Sequence, residues 1–415
     1  MVTEGAHVTG TASRGQLDVY LHIGLTKTGT SHLQQVLWLS RERLAGAGVL
    51  VPGRSRQSQT MAVWDLMGRR PRGADQPEVA GSWQELVSAA MRWSGSQVVI
   101  SEEFLANATP RQVRLAVRAF APARVHVVVT VRDLGRVIGS VWQQNLAKGR
   151  TWSWSEFVGA VRDPENGPAT AGVGFWLRQD LLRILDTWEV AVPRQLIHLV
   201  TVPPPGSPRH LLLERFAAAT HLDLGALASN QPETNVSIGT AEAEMLRRLN
   251  LGLAGRLNER QYNHAVQKGV QSALRGRMSS PRIRLPAGEL EWVTDRATTM
   301  VRALDSRGYE VTGDLRDLIP SAAVTSESRP DDVDDSELAE AALAALVELT
   351  KKYAQLWSRT RKKDRTSDAG VANRLASSAR ARGYRARIGA LEAADRNRWM
   401  SRAVNAYLRR SWRSS

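Results

Sequence analysis

Hydrophobic and polar positions along this chain follow two alternating patterns. Short, nearly continuous apolar runs occur at 18–25 (DVYLHIGL), 49–52 (VLVP), 97–101 (QVVIS), 123–133 (ARVHVVVTVRD) and 195–206 (QLIHLVTVPPPG). Their length and β-branched content predict strands, and the 123–133 run predicts a central strand covered on both faces. The segments between them repeat near 3.6 residues, as where Leu33, Val36, Leu37 and Leu44 share one face. Helix-start signals support these segments: Ser82 with Glu85, Ser153 with Glu156, and Thr109-Pro110 with Gln112. The 175–190 stretch (FWLRQDLLRILDTWEV) reads as one amphipathic helix. Strands alternating with helices predict an α/β fold around a parallel sheet of about five strands, with an added helical C-terminal segment.

The pattern also divides the chain. Residues 1–17 have no apolar core, so they predict a flexible N-terminus and no secretory signal. The α/β domain is expected over 18–320, its 208–310 part mostly helical. An acidic linker is expected over 321–337, where SESRPDDVDDSE lies, and a basic helical tail over 338–415. The net charge of +15 is uneven: residues 351–415 hold 18 basic and 4 acidic side chains, which leaves 38 and 37 for the rest. Sequence-specific nucleic-acid binding by the body is therefore disfavoured. The tail has three readings: packing on the body or a second subunit, contact with an anionic membrane surface, or contact with a polyanion. The absence of cysteine excludes disulfides and thiolate chemistry. No apolar run approaches the roughly 20 residues of a membrane helix. These features suggest a cytoplasmic protein, with a peripheral position at the inner membrane face as an extension of the tail readings.

The chemistry begins after the first strand, in GLTKTGTSHL. Gly24 and Gly29 have the spacing of a nucleotide phosphate loop, G-x-x-x-x-G-K-[ST], but Thr30 stands where the lysine belongs. The lysine is inside the loop, at Lys27, among Thr26, Thr28, Thr30 and Ser31. A loop between strand and helix presents N–H groups and a helix N-terminus to an anion. At the end of the central strand comes Arg132, and Ser140 follows eight residues later, about two helical turns along. Arginine offers a fixed fork for phosphate oxygens.

These two stretches, GLTKTGTSHL and VTVRDLGRVIGSVWQQNLAKG, resemble sulfotransferases that use 3′-phosphoadenylyl sulfate (PAPS), in particular a bacterial branch with a P-loop kinase-like fold. The resemblance covers about 18–320 and implies a P-loop-type parallel sheet. It implies that Lys27 contacts the bridging oxygen of the donor, that Thr26 and Thr28–Ser31 (Thr28, Gly29, Thr30, Ser31) surround the 5′-phosphosulfate, and that Arg132 and Ser140 hold the 3′-phosphate. It further implies PAPS as donor, no metal, and an acceptor hydroxyl or amine on a carbohydrate, glycolipid or small natural product. The glycine-lysine motif of the animal enzymes is absent, and His32 stands where a Trp often follows the loop.

Transfer to an acceptor calls for a general base. Glu102 and Glu103 end the third strand and should face opposite ways. A serine–x–glutamate likeness favours Glu103. His22, at the end of the first strand, is a further candidate, although a histidine there is more often packed and hydrogen-bonded. Trp142, Trp152 and Trp154, with Gln143 and Gln144, could border an acceptor pocket or belong to the core. Two other readings stand beside sulfuryl transfer. One is a P-loop nucleotide or small-molecule kinase using Mg·ATP. The other is a non-catalytic nucleotide-binding or scaffold protein acting through its basic tail.

Overall fold

The computed structural model describes residues 16–69, 79–228, 238–275, 280–322 and 325–364. Most of the expected basic tail, 365–415, lies outside the described residues. The chain divides into two compact units, 1–346 and 347–415.

The core of the first unit is a parallel sheet. Its strands are β1 (Asp18–His22), β2 (Val49–Leu50), β3 (Gln97–Ser101), β4 (Arg124–Val131), β5 (Ile197–Thr201) and, after a two-residue β6 (Leu285–Pro286), β7 (Glu310–Thr312). The sheet order is β2-β3-β1-β4-β5-β7, with every pair parallel. It thus has six strands rather than about five. The sixth, β7, is three residues long and only partly buried, so it shows no apolar run. β6 pairs separately with β8 (Thr325–Ser326).

The helices follow in chain order. α1 (Thr30–Gly46), α2 (Arg56–Leu66), α3 (Ser82–Met91) and α4 (Pro110–Ala119) precede β4. α5 (Leu134–Ala147), α6 (Trp154–Arg162), α7 (Ala169–Gln179) and α8 (Leu181–Glu189) precede β5. α9 (Leu211–Ala219), α10 (Thr240–Leu253) and α11 (Glu259–Tyr262) come next, and α11 runs through a π-helical stretch into α12 (Gln271–Arg275). α13 (Leu290–Arg307) and α14 (Asp335–Asp364) complete the series.

Two apolar layers sandwich the sheet, which is why its strands read as continuous runs. On one face Val19, Leu21, Ile100, Val127 and Leu199 pack with Val63 of α2, Leu86 of α3, Val113 of α4 and Ile184 of α8. On the other, Tyr20, Val99, Val128 and Val200 pack with Leu33 and Leu37 of α1 and Phe216 of α9.

Local signals hold with three exceptions. Thr109 caps α4 with Gln112, and Ser153 caps α6 with Glu156. Ser82 is instead the first residue of α3, and Gly81 is its cap. The single helix expected over 175–190 breaks at Asp180, whose carboxylate accepts from Arg183 N and starts α8. The acidic stretch expected as a linker makes specific contacts: β8 pairs with β6, Asp331 accepts from the Trp154 N–H at 2.6 Å, Arg329 donates to the Ser155 hydroxyl, and Pro330 is buried. Among the described residues no helix is long and apolar enough to cross a membrane.

Candidate functional site

The chain leaves β1 toward β2 on one side and leaves β4 toward β5 on the other. Strand order therefore reverses between β1 and β4, and their carboxyl ends flank a crevice where ligands of open α/β sheets bind. The glycine loop enters this crevice from β1. Its first residues are still tied to β4, through Ile23 N to Val128 O (2.9 Å) and Leu25 N to Thr130 O (2.8 Å).

Three residues of the loop have positive φ: Gly24 (+68°), Lys27 (+69°) and Gly29 (+89°). Two of these need glycine. A Cβ on Gly24 would meet Thr30 Cγ2 at 2.8 Å, and one on Gly29 would meet Leu212 Cδ2 at 2.6 Å. Lys27 tolerates the left-handed region at a cost of about 1–2 kcal/mol. The cost is borne by a loop held from several sides. Arg132 Nη1 donates to Lys27 O at 3.1 Å, and Gln179 Nε2 donates to both Thr26 O (3.0 Å) and Thr26 Oγ1 (2.8 Å). Thr28 is fully buried, donates to Leu25 O and lies 2.7 Å from the Thr130 hydroxyl. Its side chain therefore secures the loop and does not line the cavity above it, so any part of Thr28 in holding the expected donor falls to its backbone N–H.

Above the loop is a cavity of about 580 Å3, within the size range of small-molecule sites. Thr26, Lys27, Gly29, Thr30, Ser31, Arg132, Ser140 and Glu103 all line it. Residues expected from two separate motifs and from the end of β3 thus share one space. Gln143 and Gln144 line it too, as do His32, Ile238 and Gln271. Gln179 and Gln271 carry no motif, and sequence reasoning passed over both.

Arg132 is held mostly buried, and burial, with the nearby Arg136 charge, pushes its pKa down to about 10. Its Nε is buried with no hydrogen-bond partner among the described residues. An anion in the cavity would compensate this desolvated cation. Arg136 does not compete for the cavity. It pairs with Asp133, the cap of α5, and donates to Pro203 O, tying the start of α5 to the VPPPG turn.

The two carboxylates at the end of β3 separate. Glu103 lines the loop cavity and accepts from the Thr30 hydroxyl at 2.7 Å. It lies in the electrostatic field of Lys148 and Arg178. Glu102 lines a different cavity, of about 370 Å3, with Gln34, Trp38, Arg56, Gln57 and Thr60 among its walls. It accepts from Thr60 Oγ1 (2.5 Å) and Phe104 N (3.3 Å), and burial raises its pKa.

His22 lines neither cavity. It is 1% exposed, with Nδ1 2.7 Å from Ser101 Oγ and Nε2 3.1 Å from Thr130 Oγ1. Burial holds its pKa at about 3, so the ring is neutral. It is a strut between β1, β3 and β4 rather than a base facing the site. Trp142 and Trp154 belong to the core: both are fully buried, their rings meet edge to face, and Trp142 Nε1 donates to the carbonyl of the half-buried Trp152. Among the described residues no group of three His, Asp or Glu side chains is placed to hold a metal ion.

Fold and site together describe an α/β protein with a parallel sheet and a phosphate-type glycine loop at its switch point. Among solved structures, the chain is similar to a sulfotransferase from Alicyclobacillus acidocaldarius, with a TM-score of 0.34 and 11% identity, over 56% of this chain and 92% of that one. No protein-family model and no curated protein matches the chain.

Proposed function

We propose that the protein is a sulfotransferase that moves the sulfuryl group of PAPS to an acceptor hydroxyl or amine. The observation that carries this reading is the convergence of Lys27, Arg132, Ser140 and Glu103 on one cavity. In this reading the cavity takes an anion that carries two separate charged groups. At one of them the loop N–H groups and Lys27 meet a 5′-phosphosulfate. At the other charged group of the donor, Arg132 and Ser140 meet a 3′-phosphate, a group that ATP lacks.

In this reading the acceptor oxygen or nitrogen forms a bond to sulfur as the sulfur–bridging-oxygen bond breaks, and adenosine 3′,5′-bisphosphate leaves. Lys27 stabilises the charge that grows on the leaving oxygen. Glu103 takes the acceptor proton, and Thr30 orients its carboxylate beforehand. The surplus positive charge of the C-terminal tail is a targeting element for an anionic membrane surface or polyanion.

A thermal-shift comparison tests the donor. Adenosine 3′,5′-bisphosphate in excess chelator should raise the melting temperature. Stabilisation by Mg·ATP alone would make the protein a kinase instead. Stabilisation by neither nucleotide would leave a protein working through its tail. Product mass spectrometry on acceptor panels with labelled PAPS then identifies the sulfated product.

A further inference from the structure

The smaller cavity shares no lining residue with the loop cavity. Glu102 lies in its wall, 5% exposed. Of the roughly four lone-pair positions of a carboxylate, the Thr60 hydroxyl and the Phe104 N–H occupy two. Gln34 spends one amide hydrogen on Ser101 O (3.1 Å) and keeps its remaining groups. Gln57 adds a second amide. Trp38 supplies a flat apolar wall, and the Arg41 guanidinium covers one face of its ring at 4.4 Å from the centroid. Arg56 and Glu102 are the charged groups of the lining and are of opposite sign. The cavity therefore offers alternating donors and acceptors around one aromatic surface.

Its position relative to the donor site follows from helix geometry. Thr30, Gln34 and Trp38 are four residues apart on one stripe of α1. Thr30 lines the donor cavity, while Gln34 and Trp38 line the smaller one. Each step is about 6 Å along the helix. Glu102 and Glu103, adjacent in sequence, face one cavity each. A ring held in the smaller cavity therefore lies one to two helical turns from Thr30 along α1, beside a carboxylate adjacent in sequence to Glu103.

We infer that the Trp38–Glu102 cavity is the acceptor subsite and that it takes a neutral polyhydroxylated ring, a sugar or sugar-like polyol. Such a ring has C–H faces to lie on Trp38 and hydroxyls to give to Glu102 and exchange with Gln34 and Gln57. An anionic ring would set its charge against the buried Glu102, a cost the exposed Arg56 offsets poorly, and a flat apolar ring would offer Glu102 too few donors. The inference rests on the sulfuryl-transfer reading for the word acceptor, and its test is separable from that reading.

The full-length protein is used. Calorimetry gives the affinity for adenosine 3′,5′-bisphosphate in the parent, Trp38→Ala and Gln57→Ala; Trp38 is half-buried, and the exposed Gln57 supplies a second variant that guards against misfolding. Saturation-transfer NMR then measures maltose and cellobiose, a glucuronic-acid disaccharide, and phenol as separate probes. Binding of a neutral disaccharide to the parent is expected. Its Kd should rise at least tenfold in Trp38→Ala and severalfold in Gln57→Ala, with bisphosphate affinity unchanged within twofold. The inference is overturned if neither neutral sugar binds, if both variants bind it like the parent, or if the acidic sugar or phenol binds more tightly. Sugar binding that follows this pattern while bisphosphate fails to bind supports the polyol site and removes the donor reading.

Discussion

Lys27 and Arg132 meet through one hydrogen bond, yet they should fail differently when replaced. In the proposed reaction Lys27 acts where charge develops, so Lys27→Ala should lower turnover about 10²–10³-fold with little change in bisphosphate Kd. In the same proposal Arg132 holds a phosphate charge present before and after reaction, and charge-assisted hydrogen bonds contribute roughly 1.5–3 kcal/mol. Arg132→Ala should raise bisphosphate Kd about 10–100-fold. Steady-state kinetics and calorimetry on both variants check this, and normal turnover in both would remove the assignment. His22 belongs to stability instead. Its folded pKa of about 3 lies below the ordinary 6.5 because burial disfavours the imidazolium. Below pH 6.5 the unfolded chain takes a proton that the folded chain refuses, so stability falls from there down to about pH 3. His22→Gln keeps partners for Ser101 and Thr130 and should flatten the melting-temperature profile in that window, with transfer at neutral pH retained. Loss of transfer in a folded variant would return His22 to the site. His126, stacked on Tyr20 and held near 4 by burial and by His198, keeps part of the slope in place.

At the scale of elements, the loop between β1 and α1 depends on backbone that side chains disfavour. Gly24→Ala places a Cβ against Thr30 and Glu103 in the left-handed region. It should cost about 1–2 kcal/mol in denaturant unfolding and disturb the Thr30–Glu103 pair more than the fold. Most of this was readable in advance. Five strands announced themselves because burial on both faces demands continuous apolar runs, and the loop and Arg132–Ser140 pair carry their chemistry in local spacing. β7 escaped because three half-buried residues make no pattern. The break at Asp180 escaped because apolar residues on both sides keep a helical rhythm across the cap. Thr28 and Thr30 looked alike in sequence, but their roles depend on which way a strained loop turns each hydroxyl. Gln179 reaches Thr26 from 153 residues away, a distance no local motif spans. Alternation along β3 did say that Glu102 and Glu103 part ways; that each meets its own cavity depends on residues of α1, α2 and α5 that only the fold brings there.

For the whole molecule, the boundary between body and tail lies later than charge and polarity suggest. Residues 325–331 contribute a strand pair, a buried proline and the carboxylate that receives the Trp154 N–H. Ala341 and Ala345 of α14 are buried as well. Ending the chain after Asp364 should leave the melting temperature and transfer to a small acceptor close to parental, while binding to anionic vesicles or polyanions falls. Ending it after residue 324 should cost at least about 1–3 kcal/mol from the lost hydrogen bonds alone. Differential scanning calorimetry on the two truncations distinguishes these outcomes.

The placement of β1 between β3 and β4 also sets a clock. Both of its edges are paired, and the ladder continues into Ile23 and Leu25 at the mouth of the loop. Amides in such a position exchange with deuterium only when the entire domain opens, whereas those of the short edge strand β7 are released by local fraying. Ile23 and Leu25 should therefore be among the slowest amides in the chain and Val311 and Thr312 far faster. The base of the glycine loop would then keep its shape for as long as the protein remains folded.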